Sequence, residues 1–464
     1  MLSPKGSAPR RIKSILIANR SEIAIRVMRA ASEMDIRTVA IYSREDRLAL
    51  HRFKADESYL VGEGKKPLQA YLDIDDILRI ARAAKVDAIH PGYGFLSENP
   101  EFAEAVIAAG IEWVGPRPEV MRTLGNKVAA RNAAVAADVP VMPATPPLPL
   151  DLEECKKLAT GIGYPVMLKA SWGGGGRGMR IIANDEELIT QMPVARSEAL
   201  SAFGNDEIYL EKLVQRARHV EVQILSDGET ILHAGERDCS VQRRYQKVVE
   251  EAPAPGLSPA LRTGLLQAAT AYARHIGYRS LGTVEFMVDV DRAAFYFLEM
   301  NARIQVEHPV TEAITGLDLI ATQIAIAEGR PLALRQDDIT LTGHAIECRL
   351  NAEDIAHDFR PCPGRVSLAW FPSLPGLRVD THMESGAMIP PHYDSMVAKL
   401  IAHGPTRAEA LATMASALAV SRLEGVATNA PLHAAIMADA AFQMGGVDTT
   451  YLAGLLPRLA GGCP

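Results

Sequence analysis

VMLKASWGGGGRGMRIIA, Val166 to Ala183, decides the reading of this chain. Val166 to Ala170 reads as a strand, Gly173 to Gly178 spell GGGGRG, and a second strand-like run, Met179 to Ala183, follows. The glycines match G-x-G-x-x-G, but the dinucleotide-binding form of that motif needs a helix after it. No G-x-x-x-x-G-K-[ST] occurs, which excludes a P-loop. Strand, glycine run, strand instead describes a flap whose backbone N–H groups can close over phosphates. The bland alternative is a mobile hairpin tip, against which weighs the ordering entropy of consecutive glycines. Lys169, at the base of the flap, is either a phosphate-binding cation or a solvated lysine at a strand end.

Upstream of the flap, Pro140, Pro143, Pro146, Pro147 and Pro149 mark a linker or extended connection between Val139 and Leu150. Nearer the amino terminus, Ser14 to Asn19 reads as a buried strand. A helix follows on Ile23, Val27, Met28 and Ala31, with Ser21 as its cap, and Thr38 to Tyr42 is the next strand. Another helix-to-strand unit runs from Ile74 to Ile89, so the opening is α/β with a parallel sheet, ending near Gly125. Downstream of the flap, strands are expected at Ile208 to Glu211, Val220 to Leu225 and Ile231 to Ala234. The pattern restarts at Gly343 with short strands, Pro/Gly turns and an Ala-rich helix around Arg407 to Val420. The reading is three domains: 1–125, 126–342 with a lid at about 141–213, and 343–464.

Bulk properties agree with several domains. A 464-residue chain exceeds one core. Hydrophobic content of 48% with 23% charged residues is that of a globular protein, and a net charge of −7 argues against nucleic-acid binding. Cys155, Cys239, Cys348, Cys362 and Cys463 contain no C-x-x-C pair, so neither zinc nor redox chemistry is indicated, and a reducing cytoplasm is expected. No apolar run reaches the ~18 residues that span a bilayer. Met1 to Arg11 lacks an apolar core and reads as a disordered tail, not a signal peptide.

The second informative stretch is TVEFMVDVDRAAFYFLEMN, Thr283 to Asn301. Folded as a hairpin with its loop at Asp291 to Ala293, it sets Glu285 opposite Glu299 and puts Asn301 on the same face. Opposed carboxylates in an apolar hairpin call for a cation, and Mg²⁺ takes carboxylate oxygens together with substrate phosphates. An exposed polar edge remains the alternative if the register slips by one. Arg303, Gln305 and Glu307 follow directly and could hold a small anion beside a base; His308 reads as a packing histidine. ERDCSVQRRYQKVVEE, Glu236 to Glu251, reads on composition as a solvated, salt-bridged loop.

Taken together, these motifs resemble the ATP-grasp ligases and, within them, the biotin-dependent carboxylases. ANRSEIAIRV (Ala18 to Val27), HPGYGFLSEN (His90 to Asn99), KASWGGGGRGM (Lys169 to Met179), RDCSVQRRYQKVVEEAPAP (Arg237 to Pro255), EMNARIQVEHPVTE (Glu299 to Glu312) and ECRLNAED (Glu347 to Asp354) look like that family's signatures, in order, over nearly the whole chain. The resemblance implies an ATP-grasp fold with a Rossmann-like amino-terminal domain, a glycine-loop lid and a carboxy-terminal α+β domain. It implies that Lys127, Lys169 and the lid residues Gly175 and Gly176 bind ATP phosphates. Glu211, Lys212, Leu213 and Val214 would meet the adenine, with His219 nearby and Tyr245 near the ribose, where many members have His. Glu285, Glu299 and Asn301 would hold Mg²⁺ or Mn²⁺, two ions in all. Lys247, Arg303, Gln305 and Val306 would hold bicarbonate, Glu307 would be its base, and Arg349 with Tyr93 would serve biotin. Asn126, where acyl-CoA carboxylase members often have Asp, is expected to matter little.

The implied reaction is the first half-reaction of acetyl-CoA carboxylase, in fatty-acid synthesis, with a split pyruvate or other acyl-CoA carboxylase as the alternative. No M-K-M attachment sequence occurs, so biotin is expected on a separate carrier protein, with a separate carboxyltransferase, a homodimeric enzyme, and no nucleic-acid or membrane partner. Two other readings stay open: an ATP-grasp ligase joining a carboxylate to an amine, which needs no biotin, and a non-catalytic nucleotide-binding subunit, against which the Glu285, Glu299, Arg303 and Glu307 set argues.

Overall fold

The computed structural model describes residues 10–172 and 179–461. The lid glycines Gly175 and Gly176, Cys463 and the expected amino-terminal tail up to residue 9 lie outside the described residues. Strands β1 (Ser14–Ile17), β2 (Arg37–Tyr42), β3 (Glu57–Leu60), β4 (Ala88–His90) and β5 (Glu112–Trp113) form a parallel sheet in the order β3-β2-β1-β4-β5. Both faces of its central strands are covered, which is why SILI and TVAIY read as unbroken apolar runs. The helix Ser21–Glu33 begins differently from expectation. Ser21 is not its cap: the N-cap is Arg20, and Ser21 is the first helical residue with φ +62°. Arg20 is held instead by a buried bidentate pair with Asp46, Nε–Oδ2 2.6 Å and Nη2–Oδ1 2.7 Å.

The strands on either side of the glycine run belong to a three-stranded antiparallel sheet of β6 (Val166–Ala170), β7 (Arg180–Ile182) and β8 (Ile208–Lys212), order β7-β6-β8. A strand does follow the glycine run and folds back on the one before it, pairing Val166 with Ile182. The proline-rich connection is extended and stitches two sheets together. Leu210 O accepts from Thr145 N–H (2.8 Å), and Phe297 N–H donates to Pro140 O (2.7 Å).

The main sheet has eight antiparallel strands: β9 (Ala217–Ser226), β10 (Ile231–Arg243), β11 (Gln246–Ala252), β12 (Ser280–Asp289), β13 (Ala294–Asn301), β14 (His344–Asn351), β15 (Leu377–Thr381) and β16 (Met396–Gly404), in the order β13-β12-β9-β10-β11-β14-β16-β15. Two findings differ from expectation. Glu236 to Glu251 is not a solvated loop but the β10–β11 hairpin, turning at Arg244 and Tyr245, both at positive φ. Glu236, Arg237 and Asp238 are buried, each with a partner on another element, while Arg244 at the turn stays exposed: Arg237 Nε–Glu221 Oε1 2.6 Å, Arg218 Nε–Asp238 Oδ2 3.0 Å, Arg262 Nε–Glu236 Oε1 2.7 Å. And the strands after Gly343 extend the same sheet, β14 pairing directly with β11.

No single helix among the described residues is long and apolar enough to cross a membrane. Five histidines among the described residues are buried and pulled toward the neutral form, His308 well below its usual value. Burial pulls His51 and His433 down to about 4, and His90 and His382 to about 3. His90 Nδ1 accepts from Gly92 N–H (2.9 Å), which leaves Nε2–H to donate to Gln323 Oε1 (3.1 Å). In the unfolded chain these imidazoles protonate near pH 6.5. Below that pH the unfolded state therefore holds more protons and stability falls as pH falls. We expect a loss of about 2 kcal/mol per buried histidine between pH 7 and pH 5, at about 1.4 kcal/mol per pKa unit. Urea midpoints at the two pH values measure it; unchanged midpoints contradict neutral burial.

Candidate active site

One rung of the main sheet carries four charged residues side by side. Arg237 on β10 pairs with Glu221 on β9, Glu221 with Glu285 on β12, and Glu285 with Glu299 on β13. The Glu285–Glu299 register is as expected, but the loop is Val290 to Ala293, one residue longer at its start. A bulge at Leu298 absorbs the difference: Glu285 faces Glu299, while Phe286 faces Phe297. Glu285 and Asn301 are buried, so the polar-edge alternative fails, and Asn301 Nδ2–H donates to Glu285 Oε1 at 2.7 Å. Burial and the facing Glu285 push the Glu299 carboxyl up. Burial acts on Glu285 too, but Lys247 and His219 hold it below the usual range. An opposed, oxygen-rich pair in which one carboxyl is strained toward its neutral form fits a hard divalent cation.

Lys247, on β11, reaches the same place. Its Nζ donates to Glu221 Oε2 (2.6 Å), Glu285 Oε1 (3.0 Å) and Glu307 Oε1 (2.6 Å). Burial disfavours that ammonium, but three carboxylates hold its pKa well above the ordinary value. His219 Nε2 lies 2.7 Å from Glu285 Oε2, and its pKa is likewise raised despite burial.

Glu307 ends the turn that follows β13 and precedes the helix His308–Thr315. Its second oxygen accepts from Arg349 Nη2 at 2.8 Å. Burial raises its pKa, but Lys247, Arg349 and Arg237 overcome this and keep it well below the usual range. Arg349 Nε is 2.6 Å from Glu250 Oε1, and burial lifts Glu250 to about 7. The Arg349 carbonyl is pinned by Asn429 Nδ2 (3.0 Å) and His433 Nε2 (2.7 Å). In the turn itself, Arg303 donates to Gln305 Oε1 (2.9 Å), Asn301 Oδ1 (3.0 Å) and Glu98 Oε2 (3.1 Å), and Gln305 Nε2 donates to Glu285 Oε1 (3.2 Å).

The residues expected to meet the nucleotide lie on the flap side. Lys127 opens the helix Lys127–Ala136, whose cap is Asn126: its Oδ1 accepts Ala129 N–H at 2.8 Å, work that an Asp would do equally. Burial, with Lys169 nearby, pulls the Lys127 ammonium down. Lys169 pairs with Glu211 across β6 and β8. Lys212 gives its backbone N–H to Pro143 O (2.8 Å) and its Nζ to Gly163 O (2.5 Å). Leu213 and Val214 connect β8 to β9, where Val214 packs with Met142 and Ala217. Tyr245 stands apart on the β10–β11 turn, 52% exposed. Tyr93 bonds the Glu22 carboxylate on the helix Ser21–Glu33.

Sequence reasoning missed Glu221, Arg237, Cys239, Glu98 and Glu250. Among the described residues, metal-ligand atoms converge in two groups, His219–Glu221–Glu285 and Glu221–Cys239–Glu307, and Glu221 belongs to both. A signal for it existed: His219, Glu221 and Gln223 alternate with Val220, Val222 and Ile224, a polar face on an apolar strand.

Comparison with known proteins adds to this geometry. Residues 11–121 match the model of the biotin carboxylase N-terminal domain, 126–335 that of the carbamoyl-phosphate synthase L chain ATP-binding domain, and 347–454 that of the biotin carboxylase C-terminal domain. The chain is 48% identical to the biotin carboxylase of Pseudomonas aeruginosa, over 95% of its own length and 98% of that protein's. It is 49% identical to the mitochondrial pyruvate carboxylase of Homo sapiens over 95% of its length, but spans 38% of that protein. Among solved structures it resembles biotin carboxylase from Campylobacter jejuni in a nucleotide complex (TM-score 0.92, 43% identity, 96% and 99% of the two chains). It also resembles the biotin carboxylase domain dimer of Hydrogenobacter thermophilus 2-oxoglutarate carboxylase with MgADP, ADP and bicarbonate (TM-score 0.92, 44% identity, 96% and 97%).

Proposed function

Because the chain belongs to the biotin carboxylase family and is an ATP-grasp ligase that carboxylates biotin at the expense of ATP, we propose that the converged site divides that reaction among its residues as follows. The observation that carries the proposal is Lys247, whose single ammonium joins Glu221 and Glu285 of the acidic rung to Glu307 of the turn.

Lys127, Lys169 and the flap containing Gly175 and Gly176 hold the ATP phosphates. Glu211, Lys212, Leu213 and Val214 line the base side, His219 lies close to the nucleotide, and Tyr245 reaches the ribose. Glu285, Glu299 and Asn301 hold Mg²⁺, which when bound neutralises charge on the transferring phosphoryl group. Lys247, Arg303, Gln305 and the Val306 backbone hold bicarbonate beside Glu307. The Glu307 carboxylate, kept ionised by its cations, takes the bicarbonate proton as the bicarbonate oxygen attacks the γ-phosphorus and ADP leaves. The carboxyphosphate breaks to CO₂ and phosphate, phosphate takes the biotin N1 proton, and the enolate, steadied by Arg349 and with Tyr93 beside it, attacks CO₂. Flap closure keeps water from the labile intermediate.

The division 1–125, 126–342 and 343–464, a homodimer, a cytoplasmic location, a biotin carboxyl carrier protein and a separate carboxyltransferase belong to the same proposal. The parent reaction we favour is acetyl-CoA carboxylation. The 49% identity to pyruvate carboxylase supports a split pyruvate carboxylase as the second reading, and supplying carrier, transferase and either acceptor distinguishes them.

Bicarbonate-dependent ATP hydrolysis stimulated by free biotin tests the assignment. Arg349→Ala is expected to lower biotin carboxylation by about 10²-fold, as for loss of one oriented electrostatic donor, and to spare biotin-independent ATP hydrolysis by comparison. Equal losses contradict the division between Arg349 and Glu307.

A further inference from the structure

Lys399 is fully buried in the middle of β16, in the apolar run MVAKLIAHG. Its Nζ donates to the Val306 carbonyl at 2.8 Å and lies 3.3 Å from Glu22 Oε2. The other oxygen of Glu22, itself buried, accepts from Tyr93 OH. A continuous chain of polar contacts therefore runs from the tyrosine expected beside biotin, through Glu22 and Lys399, to the turn expected to hold bicarbonate. Lys399 is also the cross-strand neighbour of Arg349. The two cations hold consecutive residues of that turn: Lys399 takes the carbonyl of Val306, and Arg349 the carboxylate of Glu307. Burial disfavours the Lys399 ammonium, but Glu22, Glu347 and Asp380 face it from three other elements and hold its pKa up despite the nearby Arg378. It is thus a charged, fixed donor.

We propose that Lys399 is a positioning residue that sets the Gln305–Glu307 turn for bicarbonate and, through Glu22, sets Tyr93 with it, so that the two substrate sites are aligned as one unit. The proposal rests on the functional reading above. Neither Lys399 nor Glu22 touches a reacting atom; both act through the backbone of Val306 and the hydroxyl of Tyr93.

The test uses the full-length enzyme with ATP, bicarbonate and free biotin. Glu22→Gln keeps the volume but removes the charge on Lys399's partner. It is expected to raise the KM for bicarbonate about tenfold, the scale of a sub-ångström misplacement, to raise the KM for biotin as well, and to leave the KM for ATP nearly unchanged. Lys399→Met is expected to act in the same direction and more strongly where it folds; where it does not, Glu22→Gln decides alone. A merely structural role predicts a lower melting temperature with bicarbonate and biotin KM unmoved, and that result in Glu22→Gln overturns the proposal. The wild type separates the two claims. If it shows no biotin-stimulated, bicarbonate-dependent ATP hydrolysis, the functional reading and this proposal fall together. If it does and Glu22→Gln behaves normally, only the positioning role falls.

Discussion

Glu307→Gln is expected to lose turnover by about 10²-fold or more, the usual contribution of a general base and the role proposed for Glu307, while nucleotide affinity is expected to stay near that of the wild type. Two effects add. The amide cannot take the bicarbonate proton. It also presents an N–H where both oxygens now accept from cations, Lys247 Nζ at 2.6 Å and Arg349 Nη2 at 2.8 Å. One of those donors must move away, so the turn loses its hold as well as its base. Glu307→Asp keeps the charge with a shorter reach, and an intermediate loss is expected. Single-turnover ATP cleavage together with nucleotide titration measures both. Near-normal turnover in Glu307→Gln removes this residue from the role of base.

Lys247→Met is expected to damage both activity and stability. The ammonium is the shared partner of three carboxylates, of which Glu221 and Glu307 are fully buried. Removing one member of a buried ion pair costs about 3–5 kcal/mol, because the remaining charge is left uncompensated. Arg237 still covers Glu221, and Arg349 still covers Glu307, so the fold is expected to survive with a lower urea midpoint. Activity should fall by at least about 10²-fold, since an oriented charge at the reacting anion is lost. A further consequence separates this account from simple destabilisation. On the proposed assignment an Mg²⁺ ion held by Glu285 and Glu299 would supply positive charge where the ammonium has gone, so Mg²⁺ should stabilise Lys247→Met more than the wild type. Equal stabilisation of the two proteins refutes the shared-charge account.

The parts of the site that were legible in the sequence are those whose partners lie close along the chain. Glu285 and Glu299 share one hairpin, so alternation alone put them opposite each other. The misjudged loop did no harm because the bulge at Leu298 restored the register. The two strands flanking the glycine run were legible because each is a short apolar run of its own. The β10–β11 hairpin was not, because ERDCSVQRR looks solvated until Glu221, Arg218 and Arg262 are brought to it from other elements. Lys399 was illegible for the same reason. A lysine inside an apolar strand signals burial, but nothing local names Val306 and Glu22 as its partners. Ser21 failed differently: it is already the first helical residue, at φ +62°, and the N-cap position falls on Arg20, whose side chain pairs with Asp46.

The unbroken main sheet also constrains how the molecule can be made. β11 pairs with β14, and β14 with β16, which ends only at Gly404. A ribosome adding roughly 5–20 residues per second leaves the outer edge of β11 without its neighbour for several seconds. An edge strand in that condition invites pairing with other nascent chains, and charged side chains pointing inward are one of the devices that discourage it. Glu250 and Glu251 lie on that waiting edge, where β14 later pairs with them. Charges along an edge that the finished sheet covers are therefore expected to discourage such pairing during synthesis, and neutralising Glu251, which pairs with His344 and Arg407 away from the proposed reaction, should lower the yield of soluble protein independently of any effect on chemistry.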